Sequence, residues 1–382
     1  MNTFGDDVEF LSGRTDLIVL DARRPALVAV APSYQGRVMT STPAGPTGPS
    51  LGWINRGFIE SKQRGTAFDN YGGEDRFWLG PEGGQFGLWF KKGDPFDMAH
   101  WRTPEGFNTG DFAVTSRGHG SVAMAARFDV ANCSGTEFEV AVKRIIHVLD
   151  PGEIAEHLGA SVPSAVSAVA FQSTNTLANV GDRAWTRDGG LLSVWTLGQF
   201  SPLPRGLVIV PFLAGEQADR GPLPNGEYFG PVPPERLQIL SDCVLFRCDG
   251  KFRSKLGVGP GRAKNVLGSY DPDARLLTIV QFNLPAGAAG LSYVNSLWEI
   301  QQDPFAGDVV NSYNDGEEKP GAGQFGPFYE IETSSPAAAS EPGQAVTHVH
   351  RTFHFAGEME NLNELAHKVL GGELAKLPFP EK

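Results

Sequence analysis

The chain has 382 residues, 41% of them hydrophobic, and carries a net charge of −12, which argues against a nucleic-acid or anionic-membrane partner, since both select basic footprints. Three cysteines, Cys133, Cys243 and Cys248, give neither an even disulfide framework nor a C-x-x-C metal spacing. No apolar run reaches membrane length, and the opening MNTFGDDVEFL has no basic segment leading into an apolar one, so the chain as written reads as soluble and cytoplasmic, with a trimmed export signal left open.

With 47 glycines, 28 prolines and almost no long helical periodicity, the composition predicts an all-β chain of many short strands. Leu27 to Ser41 (LVAVAPSYQGRVMTS) reads as an opening hairpin turning at Tyr34-Gln35-Gly36. Long strands follow Gly110. In FEVAVKRIIHVLD, Phe138, Val140, Val142 and Arg144 alternate with Glu139, Ala141, Lys143 and Ile145, the mark of a sheet with one buried face. A short helix is expected after Pro151, then strands over Ala165–Asn179, Leu191–Leu197, Leu207–Phe212, Leu237–Phe246, Leu276–Asn283 and Ser292–Gln301. Gly215 to Pro234 is rich in proline and glycine and reads as a long surface loop, where binding residues often sit. Leu362, Leu365, Ala366, Val369 and Leu370 recur at helical spacing before Gly371-Gly372, predicting the one convincing helix over about 360–371. No linker or repeat divides the chain, so residues 1–382 are read as one domain.

One stretch, NYGGEDRFWLGPEGGQFGLWF (70–90), crowds Glu74, Asp75, Arg76 and Glu82 between glycine pairs and aromatics that include Trp78. Glycine pairs allow positive φ and close approach beside a pocket. Carboxylates, an arginine and flat aromatic faces together suit a sugar, which needs directed hydrogen bonds for its hydroxyls and apolar surface for its C–H face. The plainer reading is a buried ion-pair network pinning a turn.

A second informative block runs from Tyr293 to Phe355. In YEIE, strand alternation sets Glu330 and Glu332 on one face, where mutual repulsion raises one pKa and suits a general base or acid; an exposed edge strand is the alternative. Asn311, Tyr313, Asn314 and Asp315 form a polar stretch fit for hydroxyl recognition or for ordinary turn chemistry. His348, His350 and His354 share a face, and H-x-H on a strand is a way to present two imidazoles to a divalent metal or to hydrogen-bonding partners. Lys251, Arg253 and Lys255 alternate, with Arg262 and Lys264 beyond, as either a solvated face or a cradle for a carboxylated or sulfated sugar. P-loop, G-x-S-x-G and H-E-x-x-H patterns are missing from the sequence.

The stretches GGEDRFWLGPEGG (72–84), GLLSVWTLGQF (190–200), GDVVNSYNDG (307–316) and FYEIETSSPA (328–337) resemble an uncharacterised bacterial family, and the chain as a whole resembles the galactose mutarotase-like superfamily. The resemblance implies a large antiparallel β-supersandwich with a carbohydrate site on a concave sheet. It makes Glu332, in ETSSP, the candidate base, with Glu330 as the alternate, and Arg76 the binder of substrate hydroxyls. Mutarotases carry their acid histidine in a motif resembling T-H-x-Y-F-N-L, whereas the similar strand here, FQSTNTLAN (171–179), has no histidine. His119, His100 or the His348/His350 pair would have to replace it.

The expectation is therefore a carbohydrate-active protein, an epimerase, lyase or hydrolase with a glutamate base (Glu332, Glu330) and His119 as a possible second group. Arg76, Glu74, Asp75, Trp78, Glu82, Asn311, Tyr313, Asn314 and Asp315 are the candidate sugar binders, and the partner is a small-molecule or oligosaccharide substrate. No cofactor is expected, a divalent metal on His348 and His350 being the alternative. A non-catalytic sugar-binding protein is the competing class.

Overall fold

Three antiparallel sheets form the framework of the chain in a computed structural model that describes residues 2–21 and 25–378. The largest has ten strands in the order Leu237–Ile239, Cys243–Arg247, Leu207–Pro211, Val266–Asp271, Leu276–Phe282, Ala345–Ala356, Ser167–Asn179, Glu137–Val148, Ser121–Ala131 and Ala113–Arg117. A five-stranded sheet, ordered Ser254–Val258, Val310–Asn314, Tyr329–Ser334, Ser193–Phe200 and Arg76–Gly80, packs on one of its faces. The remaining sheet joins Ile18–Asp21, Leu27–Ala31 and Arg37–Thr42.

Period-two patterning explains the layers. Along Glu137–Val148, Phe138, Val140, Val142, Arg144, Ile146 and Val148 are buried while the residues between them are exposed or half-buried. Between the two large sheets, Leu256, Tyr329 and Ile331 meet Val208, Leu267 and Val280. The other face of the ten-stranded sheet is covered by the helices Pro151–Leu158 and Met359–Leu370, whose Ile154, Leu158, Leu362 and Leu365 pack on Leu277, Ile279, Phe353 and Phe355. The C-terminal helix thus forms where its periodicity predicts, and it stops at Gly371, φ 77°.

Three expectations change. A second amphipathic helix, Phe4–Ser12, opens the chain, started by a reciprocal cap: the Thr3 hydroxyl accepts from the Asp6 N–H (3.2 Å) and the Asp6 carboxylate from the Thr3 N–H (2.9 Å). Its Phe10 and Leu11 pack on Ala31 and Met39 of the three-stranded sheet. Ser292–Gln301 is a loop rather than a strand, because the Gln301 side-chain amide donates to the carbonyls of Asn295 (3.0 Å) and Leu297 (2.8 Å) and curls the segment on itself. Leu237–Phe246 is two strands, not one, reversing at 240–242.

Candidate active site

The register of the five-stranded sheet puts one row of side chains across all its strands. Arg76 is opposite Leu197, Leu197 opposite Glu332, Glu332 opposite Asn311, and Asn311 opposite Gly257. A neighbouring row runs Gln199, Glu330, Tyr313 and Lys255, and a third pairs Trp78 with Trp195. Residues directly opposite in an antiparallel pair share a face, so all of these lie on the face turned away from the ten-stranded sheet.

Two ion pairs form the floor. Arg76 Nη2 donates to Glu330 Oε1 at 2.8 Å, and its guanidinium lies 3.9 Å from the centre of the Trp78 ring. Lys255 Nζ and Trp195 Nε1 both donate to Glu332 Oε2, at 3.0 and 2.9 Å. The two glutamates then differ. Glu332 is fully buried beneath its partners, whereas Glu330 lines the cavity. Burial pushes the Glu330 carboxyl up to about 7, with Arg76 opposing and Glu332 adding to the rise. On Lys255, burial works against the charge, but Glu332 and Glu82 more than offset it and hold the ammonium above its ordinary value.

Loops roof this floor. Glu82, Met98 and Trp101 come from the connection after Arg76–Gly80, Phe229 from the Pro/Gly-rich 221–236 segment, Trp298 from the curled loop, and Phe325 from the 315–328 connection. They enclose a cavity of about 60 Å³ walled by Trp78, Trp101, Trp195 and Trp298. Glu82 faces it, accepts from Trp101 Nε1 at 2.8 Å, and is raised by burial. The guanidinium of Arg253 lies 3.9 Å from the centre of the Phe229 ring, and among the described residues it has no carboxylate within 4 Å.

The candidate residues divide between this cleft and other places. Arg76, Trp78, Glu82, Tyr313 and Glu330 line the cavity, and Asp315 lines an adjoining one. Asn311 faces a narrow side cavity with Tyr228 and Asp308; it donates to Tyr228 Oη (3.2 Å), which donates to Asp308, and burial lifts Asp308 to about 6. Glu332, the first candidate for the base, is one layer below the surface of the cleft.

Glu74, Asp75, Asn314, His348 and His350 belong to the interior between the sheets. Gly72 and Gly73, at φ 88° and 111°, turn the chain there, and a Cβ on Gly72 would lie 2.1 Å from the Trp53 carbonyl oxygen. Glu74 accepts from the Ser41 hydroxyl (2.8 Å) and stands 3.0 Å from His354 Nε2; Asp75 pairs with Arg144 and accepts from the Ser173 hydroxyl at 2.7 Å. Asn314 ties Gly250 N–H to the Phe252 carbonyl. His348 Nε2 and His350 Nδ1 both meet the Thr333 hydroxyl, at 2.7 and 2.8 Å, and burial pushes them down to about 3 and about 4. Among the described residues no three His, Cys, Asp or Glu side chains converge as metal ligands would. His119 is exposed in the hairpin turn between Ala113–Arg117 and Ser121–Ala131, and His100 is engaged by Asp97 at 2.6 Å; neither lines the cleft.

Sequence reasoning missed Trp101, Trp298 and Phe229, which reach the cleft from three separate loops. Lys255 and Arg253 had a signal in the alternating basic residues, and Trp195 lies in the GLLSVWTLGQF stretch.

The fold is similar to that of a candidate aldose 1-epimerase from Escherichia coli K12, with a TM-score of 0.52 and 11% identity over 89% of this chain and 98% of that one. A galactose mutarotase related enzyme from Lactobacillus acidophilus gives 0.48 at 8% identity, over 89% and 97% of the two chains. A galactose mutarotase-like protein from Lactobacillus casei gives 0.46 at 8%, over 89% and 100%. At such identities the first of these likenesses establishes a galactose mutarotase-like β-sandwich and nothing finer. No curated protein matches the sequence. The model of DUF6786, a family of unknown function, matches residues 2–378, and the chain belongs to that family.

Proposed function

We propose that this protein is a carbohydrate-active enzyme that binds a sugar in the tryptophan-walled cleft and moves protons with two carboxyl groups, Glu330 as base and Glu82 as acid. The observation carrying this reading is that both groups face one cavity and both are raised by burial, Glu330 to about 7. A base working near neutral pH needs a raised pKa, and an acid must keep its proton there. The tryptophan faces supply surface for the C–H side of a sugar ring, Arg76 supplies donors for its hydroxyls, and Tyr313 Oη, whose proton goes to Asp315, supplies an acceptor.

For an anomeric epimerisation, ionised Glu330 takes the proton of the anomeric hydroxyl as the ring C–O bond breaks, and protonated Glu82 delivers its proton to the departing ring oxygen. The open aldehyde rotates and closes on its other face with the transfers reversed. Glu82 thereby fills the part of the histidine missing from FQSTNTLAN. Lys255 and Trp195 hold Glu332 beneath, where its charge raises Glu330 and steadies Lys255.

The names of the structural relatives agree with sugar chemistry, but the cleft residues carry the reading. Its test is polarimetry and reducing-sugar turnover over a panel of aldoses, followed by Glu330→Gln and Glu82→Gln. Each variant is expected to bind the sugar and to lose roughly 10²-fold or more in turnover. Wild-type turnover in both variants removes the proposal. Sugar binding with no turnover by the native protein on any member of the panel favours the non-catalytic alternative, in which Arg76 keeps Glu330 as a hydrogen-bond acceptor only.

A further inference from the structure

The tryptophan-walled cavity, at about 60 Å³, is the narrower part of the cleft. A ligand seated there has wider space beside it. What adjoins is a second cavity of about 290 Å³ that shares Met98, Arg253, Tyr313 and Phe325 with the first. We infer that this outer cavity is a second sugar subsite, so that the ligand is a glycan of two or more units entering by one end rather than a free monosaccharide. The inference rests on the carbohydrate reading above.

Three observations support it. The inner cavity is closed below by the sheet, so a ligand that reaches Glu330 has its remainder outside. The outer wall is the connection 315–328, which is much longer than a hairpin between adjacent antiparallel strands requires, and loops of such length usually serve binding. That connection is braced at its base, where Asp315 accepts from Tyr313 Oη (2.6 Å) and from Gly326 N–H (2.8 Å), while Asn70 donates to the Phe325 carbonyl at 3.0 Å. Its tip presents Glu318, Ala322, Gly323 and Gln324 to the outer cavity, a mixture of polar side chains and accessible backbone suited to hydroxyl groups. Arg253 stands at the junction, among the described residues without a carboxylate partner and with its buried Nε unpaired, leaving donors for the oxygens between two units.

The experiment is calorimetric titration of the full chain with matched series of one, two and three units: glucose, cellobiose and cellotriose; glucose, maltose and maltotriose; galactose with β-1,4-galactobiose and galactotriose. In the series that binds, the disaccharide is expected to bind about tenfold more tightly than its monosaccharide, as two or three added hydrogen bonds give. Ala322→Trp, which fills the outer cavity from an exposed position, should remove that gain and leave monosaccharide affinity unchanged. The double variant Glu318→Ala, Gln324→Ala tests the same point without added bulk and should lose most of the gain. A monosaccharide that binds as tightly as its longer relatives, or variants that keep the full gain, overturns the second subsite alone. Absence of binding at every length overturns the carbohydrate reading and the subsite with it.

Discussion

Two buried charged clusters stand on opposite faces of the five-stranded sheet, and they come in part from the same tripeptide. Glu74 and Asp75 turn inward, where His354, Arg144, Ser173 and Ser41 engage their carboxylates. Arg76 turns outward, where it meets Glu330 but among the described residues leaves Nε and Nη1 without hydrogen-bond partners, as Glu332 leaves Oε1. The inner cluster has the closure expected of a group that holds sheets together; the outer has unused donors and acceptors and a carboxyl poised near neutrality. Burial and charge are alike in the two, so neither identifies a site. Completeness of hydrogen bonding and access to a cavity distinguish them.

The sharpest way to break the comparison is to remove one partner from each side. Asp75→Ala leaves Arg144 buried without its carboxylate and should cost about 3–5 kcal/mol in urea unfolding. Glu330→Gln, which keeps an acceptor for Arg76, should cost far less and act on turnover instead. Equal losses of stability would mean that the cleft pair is as structural as the inner one.

Acid titration separates the clusters next. His348 and His350 are held at about 3 and about 4, below the ordinary 6.5, so the unfolded chain binds more protons than the native one as pH falls below 6.5. Their contribution is complete above 6.5 and is lost as pH falls toward 4, at about 1.4 kcal/mol per pH unit for each histidine. A His348→Gln, His350→Gln variant should show a flatter acid limb in denaturation followed by circular dichroism. An unchanged limb would mean that other groups dominate it.

Glu330 should slope the other way. Its native value of about 7 lies above the ordinary 4.5, so between these pH values the native state holds the proton that the unfolded state releases, and stability falls as pH rises. Glu330→Gln should remove that decline. In the same range the wild-type kcat/KM should rise with pH through about 7 as the base ionises, a limb that the variant lacks. A wild-type profile flat from pH 5 to 8 would assign the proton transfer to another group.

The smallest expected effect is none. Each histidine of the H-x-H pair spends a ring nitrogen on Thr333, so EDTA should leave Tm unchanged. A drop of several degrees on chelation would return these imidazoles to the role of ligands.

What was legible in the sequence follows from range. Glu330 and Glu332 share a face because strand periodicity is local, and the C-terminal helix forms because its apolar spacing is local. Which of the two glutamates reaches the cavity depends on Lys255 and Trp195, far away in the chain, and spacing carries no record of that. Glu74 and Asp75 looked like cleft residues because they adjoin Arg76, but two positive-φ glycines turn them the other way. Trp101, Trp298 and Phe229 arrive on irregular loops, whose course has no period to read. The opening helix, by contrast, had a readable signal in Thr3 and Asp6 before an amphipathic run.

The crowding of tryptophans has an optical consequence. Of the seven in the chain, four line the inner cavity, and a fifth, Trp89, packs against Trp78, Trp101 and Trp195 with ring centres 5.2 to 6.4 Å apart. Five of the seven indole fluorophores therefore stand at or against the cleft, and displacement of water from those rings should shift the wavelength and intensity of the emission. The molecule carries its own label for ligand discovery, readable in a plate without modification of either protein or sugar, and the two tryptophans elsewhere, Trp53 and Trp185, set the background against which that change is measured.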